Sequence, residues 1–164
     1  MILTVPIGGF FVRMGNLFNS EIYGHVTNLP WGFVYVRDAS PQEAAVMPPS
    51  WHNGFAKITS DLPAAIMAHH PTQLYEGLSY LLIFFFLFFL YKKYNANLRP
   101  GYLFGLFLIL LFGVRLIVEF FKENQVEFEN NLPLNMGQIL SIPFIIVGIF
   151  ILIRSFRLTR GEEI

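Results

Sequence analysis

The chain has 164 residues, 54% of them hydrophobic, 17% aromatic and only 13% charged, against about a quarter charged in soluble domains. Eleven basic and eleven acidic residues leave no net charge, which argues against nucleic acid as a partner, and the lack of cysteine excludes disulfides, zinc–thiolate sites and an intrinsic thiol nucleophile. A mean hydropathy of +0.52 and 19 phenylalanines instead point to an all-α integral membrane protein, because a soluble domain of this length cannot enclose that much apolar surface.

Four segments are expected to cross the membrane, at about 1–18, 72–91, 100–121 and 136–153, each near the roughly 20 residues a span requires. The first runs M-I-L-T-V-P-I-G-G-F-F into Arg13 without a basic leader, so it reads as the end of a helix whose beginning is missing and not as a cleaved signal peptide. Its Pro6, Gly8, Gly9 and Arg13 fit a re-entrant or broken helix equally well. The other three are strongly apolar, and Pro143 is expected to kink the last.

Basic residues gather at Lys92, Lys93 and Arg99 and again at Arg154, Arg157 and Arg160, whereas 122–131 is acidic. Positive charge marks the cytoplasmic side, so the four spans alternate in direction and residues 25–69 lie outside the membrane on the far face. That stretch is too long for a plain connector and carries a strand signal, W-G-F-V-Y-V-R at 31–37, followed by Pro41, Pro48 and Pro49, which should interrupt regular structure. The expected division is a membrane helix and polar motif at 1–24, a small periplasmic head of short strands and loops at 25–69, a three-helix transmembrane region at 70–153, and a cytoplasmic tail at 154–164.

This topology brings polar residues from all four spans to one membrane level. The stretch R-M-G-N-L-F-N-S-E-I-Y-G at 13–24 contributes Arg13, Asn16, Asn19, Glu21 and Gly24; the second span begins with His70, Gln73, Tyr75 and Glu76; the third ends with Arg115 and Glu119; the fourth opens with Gly137 and Gln138. Arg115 and Glu119 stand one helical turn apart and can pair. A charge-tolerating ion pair is the plainer account of them, but each charge costs about 2.5–3.5 kcal/mol on insertion scales, which favours a functional one. Arg13 would snorkel to the interface were it not surrounded by a glycine and two amides suited to a polar head group.

His70-Pro71-Thr72-Gln73 reads as a helix start, with His70 as cap and Gln73 returning to the cap's backbone, and a helix N-terminus also attracts anions. Asn135 is a second expected cap, with Gln138 facing the cavity. Tyr75 fits the interfacial aromatic belt as well as a site. Arginine forks match phosphate oxygens and carboxylates hold such forks in place, so the expected ligand is an anionic phospholipid taken from the surrounding membrane lipid. If phosphate leaves, the arginines stabilise the departing charge. No metal-ligand cluster, glycine-rich phosphate loop or serine triad is present, and neither metal nor cofactor is expected.

Four ordered stretches, R-M-G-N-L-F-N-S-E-I-Y-G at 13–24, H-P-T-Q-L-Y-E at 70–76, R-L-I-V-E-F-F at 115–121 and M-G-Q-I-L-S-I-P at 136–143, resemble the motifs of the bacterial prolipoprotein diacylglyceryl transferases. The resemblance implies a seven-span inner-membrane enzyme, of which this chain matches the C-terminal four spans and lacks the first three, together with a His-Gly-Gly segment proposed to hold a base. It implies transfer of a diacylglyceryl group from phosphatidylglycerol to the lipobox cysteine of a preprolipoprotein, with release of glycerol phosphate. By motif, Arg13, Glu21, Arg115 and Glu119 are the implied catalytic residues, and Arg13, Asn16, Asn19, Gly24, His70, Gln73, Tyr75, Arg115 and Gln138 the implied substrate-binding ones. The family commonly has arginine where this chain has His69. The competing expectation is a transporter or channel fragment with an anion or lipid head-group site, which would need polar residues through the whole depth of the helices. Residues 82–90 and 103–111 are almost purely apolar instead.

Overall fold

A computed structural model of the chain describes residues 2–48, 50, 57–58, 66–94, 99–122 and 134–158. In chain order the elements are α1 (Thr4–Asn19), β1 (Phe33–Val34), a 3-10 turn (Val36–Asp38), α2 (Pro41–Val46), β2 (Lys57–Ile58), α3 (Thr72–Tyr94), α4 (Tyr102–Glu119) and α5 (Met136–Leu158). The structure is mostly helical. Three helices, Thr72–Tyr94, Tyr102–Glu119 and Met136–Arg157, are long and apolar enough to cross a membrane. Their outward side chains are large and apolar, among them Leu82, Phe85, Phe89, Ile146 and Phe150. In water that surface would be untenable; against lipid it is neutral.

The first expected span does not reach the same standard. With 16 residues α1 is about 24 Å long at 1.5 Å per residue, short of a hydrocarbon core of about 30 Å. It packs on α3, α3 packs on α4 and α4 on α5. The α3–α4 interface is the main apolar core, with Tyr80, Ile83 and Leu87 meeting Phe107 and Leu108. Between α4 and α5 the backbones come close at a glycine pair: a Cβ on Gly105 would lie 2.9 Å from the Gly148 carbonyl, and one on Gly148 3.0 Å from the Gly105 carbonyl. Small residues facing each other in this way let membrane helices gain dispersion contact where no hydrophobic drive separates lipid from protein. Phe112 and Phe144 stack 4.4 Å apart beside them. Gly101 caps α4 at φ 83, a left-handed conformation that glycine adopts without strain. Pro143 sits inside α5, and the helix is continuous across it.

Between α1 and α3 the strand signal shrinks to two residues. Phe33 and Val34 pair antiparallel with Ile58 and Lys57, and no larger sheet occurs among the described residues. The chain leaves the strand because Val36–Asp38 winds into a 3-10 turn and Ser40 then caps α2. Pro41 starts that helix instead of interrupting structure: it occupies the first turn, where its missing N–H costs nothing, while Ser40 and Glu43 exchange capping bonds. Val34, Met47, Ile66 and Ala68 form a small second core. Pro49, Trp51, residues 95–98 of the basic connection, most of the acidic stretch (123–131) and Arg160 lie outside the described residues.

The glycine pair gives a direct test. Gly105→Ala should destabilise the purified protein by about 1–3 kcal/mol, because the new methyl meets backbone and cannot be relieved by a rotamer change. Gly8→Ala, where a Cβ meets nothing within 4 Å, should be neutral or slightly stabilising. Thermal unfolding of both variants in the same detergent separates the two outcomes.

Candidate functional site

The site is assembled where the end of α1, the start of α3 and the end of α4 cross. After α1 the chain passes through two left-handed residues, Ser20 at φ 60 and Ile22 at φ 59. For a β-branched residue that conformation costs on the order of 1–3 kcal/mol and persists only when neighbours over-determine it. The first turn of α3 does so. Gln73 Nε2 donates to the Glu21 carbonyl at 2.6 Å, and Thr72 Oγ1 donates to the Ile22 carbonyl at 2.9 Å. Gln73 is itself buried and accepts from the Tyr35 hydroxyl at 2.9 Å, and burial raises the pKa of that phenol well above its ordinary range.

Two residues on, Gly24 donates to the His70 carbonyl at 2.9 Å and forms an antiparallel bridge with Lys122, while His25 donates to the Phe121 carbonyl at 2.9 Å. A Cβ at Gly24 would lie 2.2 Å from that carbonyl oxygen and 2.8 Å from the side chains of His70 and Thr72. Only glycine permits three backbones to meet here.

Beneath this crossing lies a chain of alternating charges. Glu76, fully buried in α3, is gripped at Oε2 by Arg13 Nε from α1 and at Oε1 by Lys122 Nζ, 2.7 Å away. Lys122, 4% exposed, also reaches Glu119 Oε2 at 3.2 Å. Neither Glu76 oxygen takes a hydrogen bond from any other described group, so its partners are the two cations alone. Glu119 is pressed against the start of α5, where a Cβ on Gly137 would lie 2.5 Å from its carboxylate. Tyr80 lies within electrostatic reach of Arg13, Glu76 and Arg115. Arg115 Nε is buried and has no hydrogen-bond partner among the described residues. The chain Arg13–Glu76–Lys122–Glu119 balances to zero charge, so Arg115 is a surplus cation beside it.

A separate polar group stands at the start of α3. Trp31 Nε1 donates to the Tyr75 hydroxyl at 3.0 Å, and that hydroxyl lies 3.2 Å from His70 Nδ1. His70 packs on Phe121 at 5.5 Å. Burial, with a smaller contribution from His25, lowers the His70 pKa, which favours the neutral imidazole.

The residues singled out in the sequence therefore separate. Arg13, Arg115 and Glu119 come together at the ion chain, but Glu119 pairs with Lys122 and not with Arg115, as its helical spacing had led one to expect. The Glu21 side chain and Asn19 are exposed and Asn16 is half-buried. Gly24 is a backbone crossing. His70 and Tyr75 pair with each other. Gln73 does not return to its cap, because Glu21 and Tyr35 take its amide; of the first α3 amides, that of Thr72 donates to the His70 carbonyl at 2.8 Å and those of Leu74 and Tyr75 donate to Pro71. Gln138 is buried and folds back on its own cap, accepting from the Asn135 N–H at 3.2 Å. Glu76 and Lys122 were missed as site residues. Glu76 was visible as a carboxylate in an apolar helix, but nothing in its spacing names Arg13 as its partner. Lys122 was readable only as the residue three beyond Glu119.

The helices and the buried ion chain define a membrane protein with a polar site enclosed among apolar spans. The family model described as "Prolipoprotein diacylglyceryl transferase" matches residues 1–154, and the chain belongs to that family. It is 43% identical over 149 residues to the phosphatidylglycerol–prolipoprotein diacylglyceryl transferase of Bacteroides fragilis, covering 90% of this chain and 44% of the relative. With the proteins of the same name from Chloroherpeton thalassium and Porphyromonas gingivalis the identity is 34% and 38%, covering 98% and 94% of this chain and 51% of each relative. The chain spans about half the length of the curated relatives it matches.

Two outcomes follow from this geometry. Glu76→Gln is nearly isosteric yet leaves Arg13 and Lys122 buried without their shared anion, so it should cost about 3–5 kcal/mol of stability, measured by unfolding in detergent. For His70, the folded pKa lies below the ordinary 6.5, so the unfolded state binds its proton more readily. Its contribution is present above pH 6.5 and is lost as pH falls through the folded value. Tm should fall on acidification through that window, and His70→Gln should reduce the slope.

Proposed function

We propose that the chain forms part of a phosphatidylglycerol–prolipoprotein diacylglyceryl transferase of the bacterial inner membrane. In this reading α1 is a fourth membrane-embedded helix, residues 25–69 form a periplasmic head, 70–153 form the three-helix region and 154–164 a cytoplasmic tail. The clustering of Lys92, Lys93, Arg99, Arg154 and Arg157 at the opposite ends of the helices from the ion chain supports that orientation.

The observation that carries the reading is Arg115: a buried guanidinium N–H without a hydrogen-bond partner among the described residues, beside a charge-balanced chain. A buried donor left unsatisfied is costly, and an anion entering from the lipid phase satisfies it. A phosphodiester fits both the charge and the fork geometry of arginine. The acceptor is the lipobox cysteine of a preprolipoprotein, which supplies the thiol that this chain does not contain.

In the transfer, the carbon–sulfur bond forms at the terminal glycerol carbon of the diacylglyceryl group as its carbon–oxygen bond to phosphate breaks. The thiol proton goes to a base, and glycerol phosphate departs with the electron pair. Phosphate gains charge as the bond breaks, so Arg13 and Arg115 act most strongly in the transition state. Asn16, Asn19, His70 and Tyr75 surround the head group in this reading, Glu21 and Glu119 orient it or the arginines, and Gly24, Gln73 and Gln138 hold the backbone that frames it.

The test is complementation of a bacterium depleted of its own transferase, using this chain joined to the preceding half of a full-length relative. Growth and lipoprotein modification should be restored, and Arg13→Ala or Arg115→Ala should each lower modification by about 10²-fold or more. A joined protein that accumulates in the membrane yet never modifies a lipobox cysteine overturns the reading in favour of a non-catalytic anion site.

A further inference from the structure

Glu76 and Lys122 are the members of the ion chain that the transferase reading leaves without a task, and Lys122 is the less expected of the two. A lysine just past a membrane helix ordinarily extends its stem and places the ammonium in water. Here it is 4% exposed and turned inward, 2.7 Å from Glu76 and 3.2 Å from Glu119. Its backbone is pinned as well, through the bridge to Gly24, at the point where a Cβ would clash with the carbonyl of Phe121.

We propose that Lys122 is a positioning residue for Arg13: by binding one oxygen of Glu76 and one of Glu119 it fixes the Glu76 carboxylate, whose other oxygen holds the guanidinium that receives the lipid phosphate. This rests on the transferase reading of Arg13. The mechanism is charge placement. Glu76 and Glu119 come from adjacent helices and converge on one ammonium; without it they repel, and Glu76 is drawn from Arg13 or takes up a proton. A tetrahedral ammonium can serve two carboxylates in different directions, whereas a planar arginine fork favours one of them bidentately. Lys122 therefore links α1 to α5 through three ion pairs: Arg13 to Glu76, Glu76 to Lys122, and Lys122 to the Glu119 carboxylate seated on Gly137.

Among the described residues, the ion chain and the titratable groups within reach of its members are Arg13 from α1, Glu76 and Tyr80 from α3, and Arg115 and Glu119 from α4, with His70 packed on Phe121. The two carboxylates are the ones that respond when its charge is removed, and this sets the sign of the pH effect. Neutralising Glu119 removes the charge that repels Glu76 and leaves Glu76 to hold Arg13, so a Lys122→Met variant should recover function as pH falls.

The experiment measures binding of the purified full chain in nanodiscs to phosphatidylglycerol, with phosphatidylcholine as reference, at about pH 8 and about pH 5.5, and with folding checked by circular dichroism. Wild type should prefer phosphatidylglycerol at both pH values. Lys122→Met should weaken that binding by about tenfold or more at pH 8 and regain most of it at pH 5.5, and Lys122→Arg should lie between. Lys122→Met/Glu119→Gln, which removes the repelling carboxylate together with the ammonium, should bind at pH 8 better than Lys122→Met. A merely structural lysine would give no rescue and no dependence on pH. If folded Lys122→Met binds like wild type at both pH values, the positioning role is wrong. If Lys122→Met does not fold, the double variant decides: folded but without preference for phosphatidylglycerol at pH 8, it overturns the role as well. A wild-type chain that fails to discriminate the two lipids sinks the phosphate reading of Arg13 itself.

Discussion

The carboxylate of Glu76 is the constraint on which the rest of this structure depends. It is fully buried in α3, in surroundings where an isolated charge is not tolerated, and it is accommodated because Arg13 and Lys122 approach its two oxygens from different elements. Each cation in turn needs the carboxylate. The three-way dependence fixes α1 and the end of α4 to α3 more tightly than apolar packing would, since helices in lipid gain little from exchanging lipid contacts for one another. The ion chain is thus as much an assembly device as a site. That double use explains why its charges neutralise one another and why the surplus cation, Arg115, stands beside the chain.

The polar crossing above the chain works to the same end by different means. Ile22 is held in a conformation it would not choose, and the first turn of α3 holds it by donating to two successive carbonyls through Thr72 and Gln73. Both donors are buried, so losing either would leave a carbonyl and a side chain unpaired where water does not compete. The strain is local and the bonds that offset it come from a rigid helix end, which sets the backbone between Arg13 and Gly24 to within hydrogen-bond tolerance.

The three apolar helices were legible because a run of about 20 apolar residues admits few other fates; the start of α2 was not, because Pro41 reads as a break in isolation and starts a helix only through the capping bonds of Ser40 and Glu43. The polar level of the site was legible for a related reason: charged residues in apolar runs are conspicuous. Their partners were not. Helical spacing made Glu119 the neighbour of Arg115, yet Lys122, three residues away and outside the regular helix, captures it. Arg13 and Glu76 are far apart in the chain, and no local rule links them. Pattern reveals which face of a helix a residue occupies; it does not reveal which of several opposite charges on that face it will meet. The strand signal at 31–37 yields a strand of only two residues, Phe33–Val34, since its other aromatic and β-branched residues are used by the Tyr35–Gln73 bond and the 3-10 turn more than by a ladder.

The same distinction bears on how chemistry is divided within the site. The Gln73 and Gln138 amides are committed to internal bonds and define shape. His70 and Tyr75 form a pair tied to Trp31, where burial favours the neutral form of the imidazole. The ion chain and the His70–Tyr75 pair are thus built from different residues of the same helix start: Glu76 turns to Arg13 and Lys122, whereas Tyr75, one residue before it, turns to Trp31 and His70.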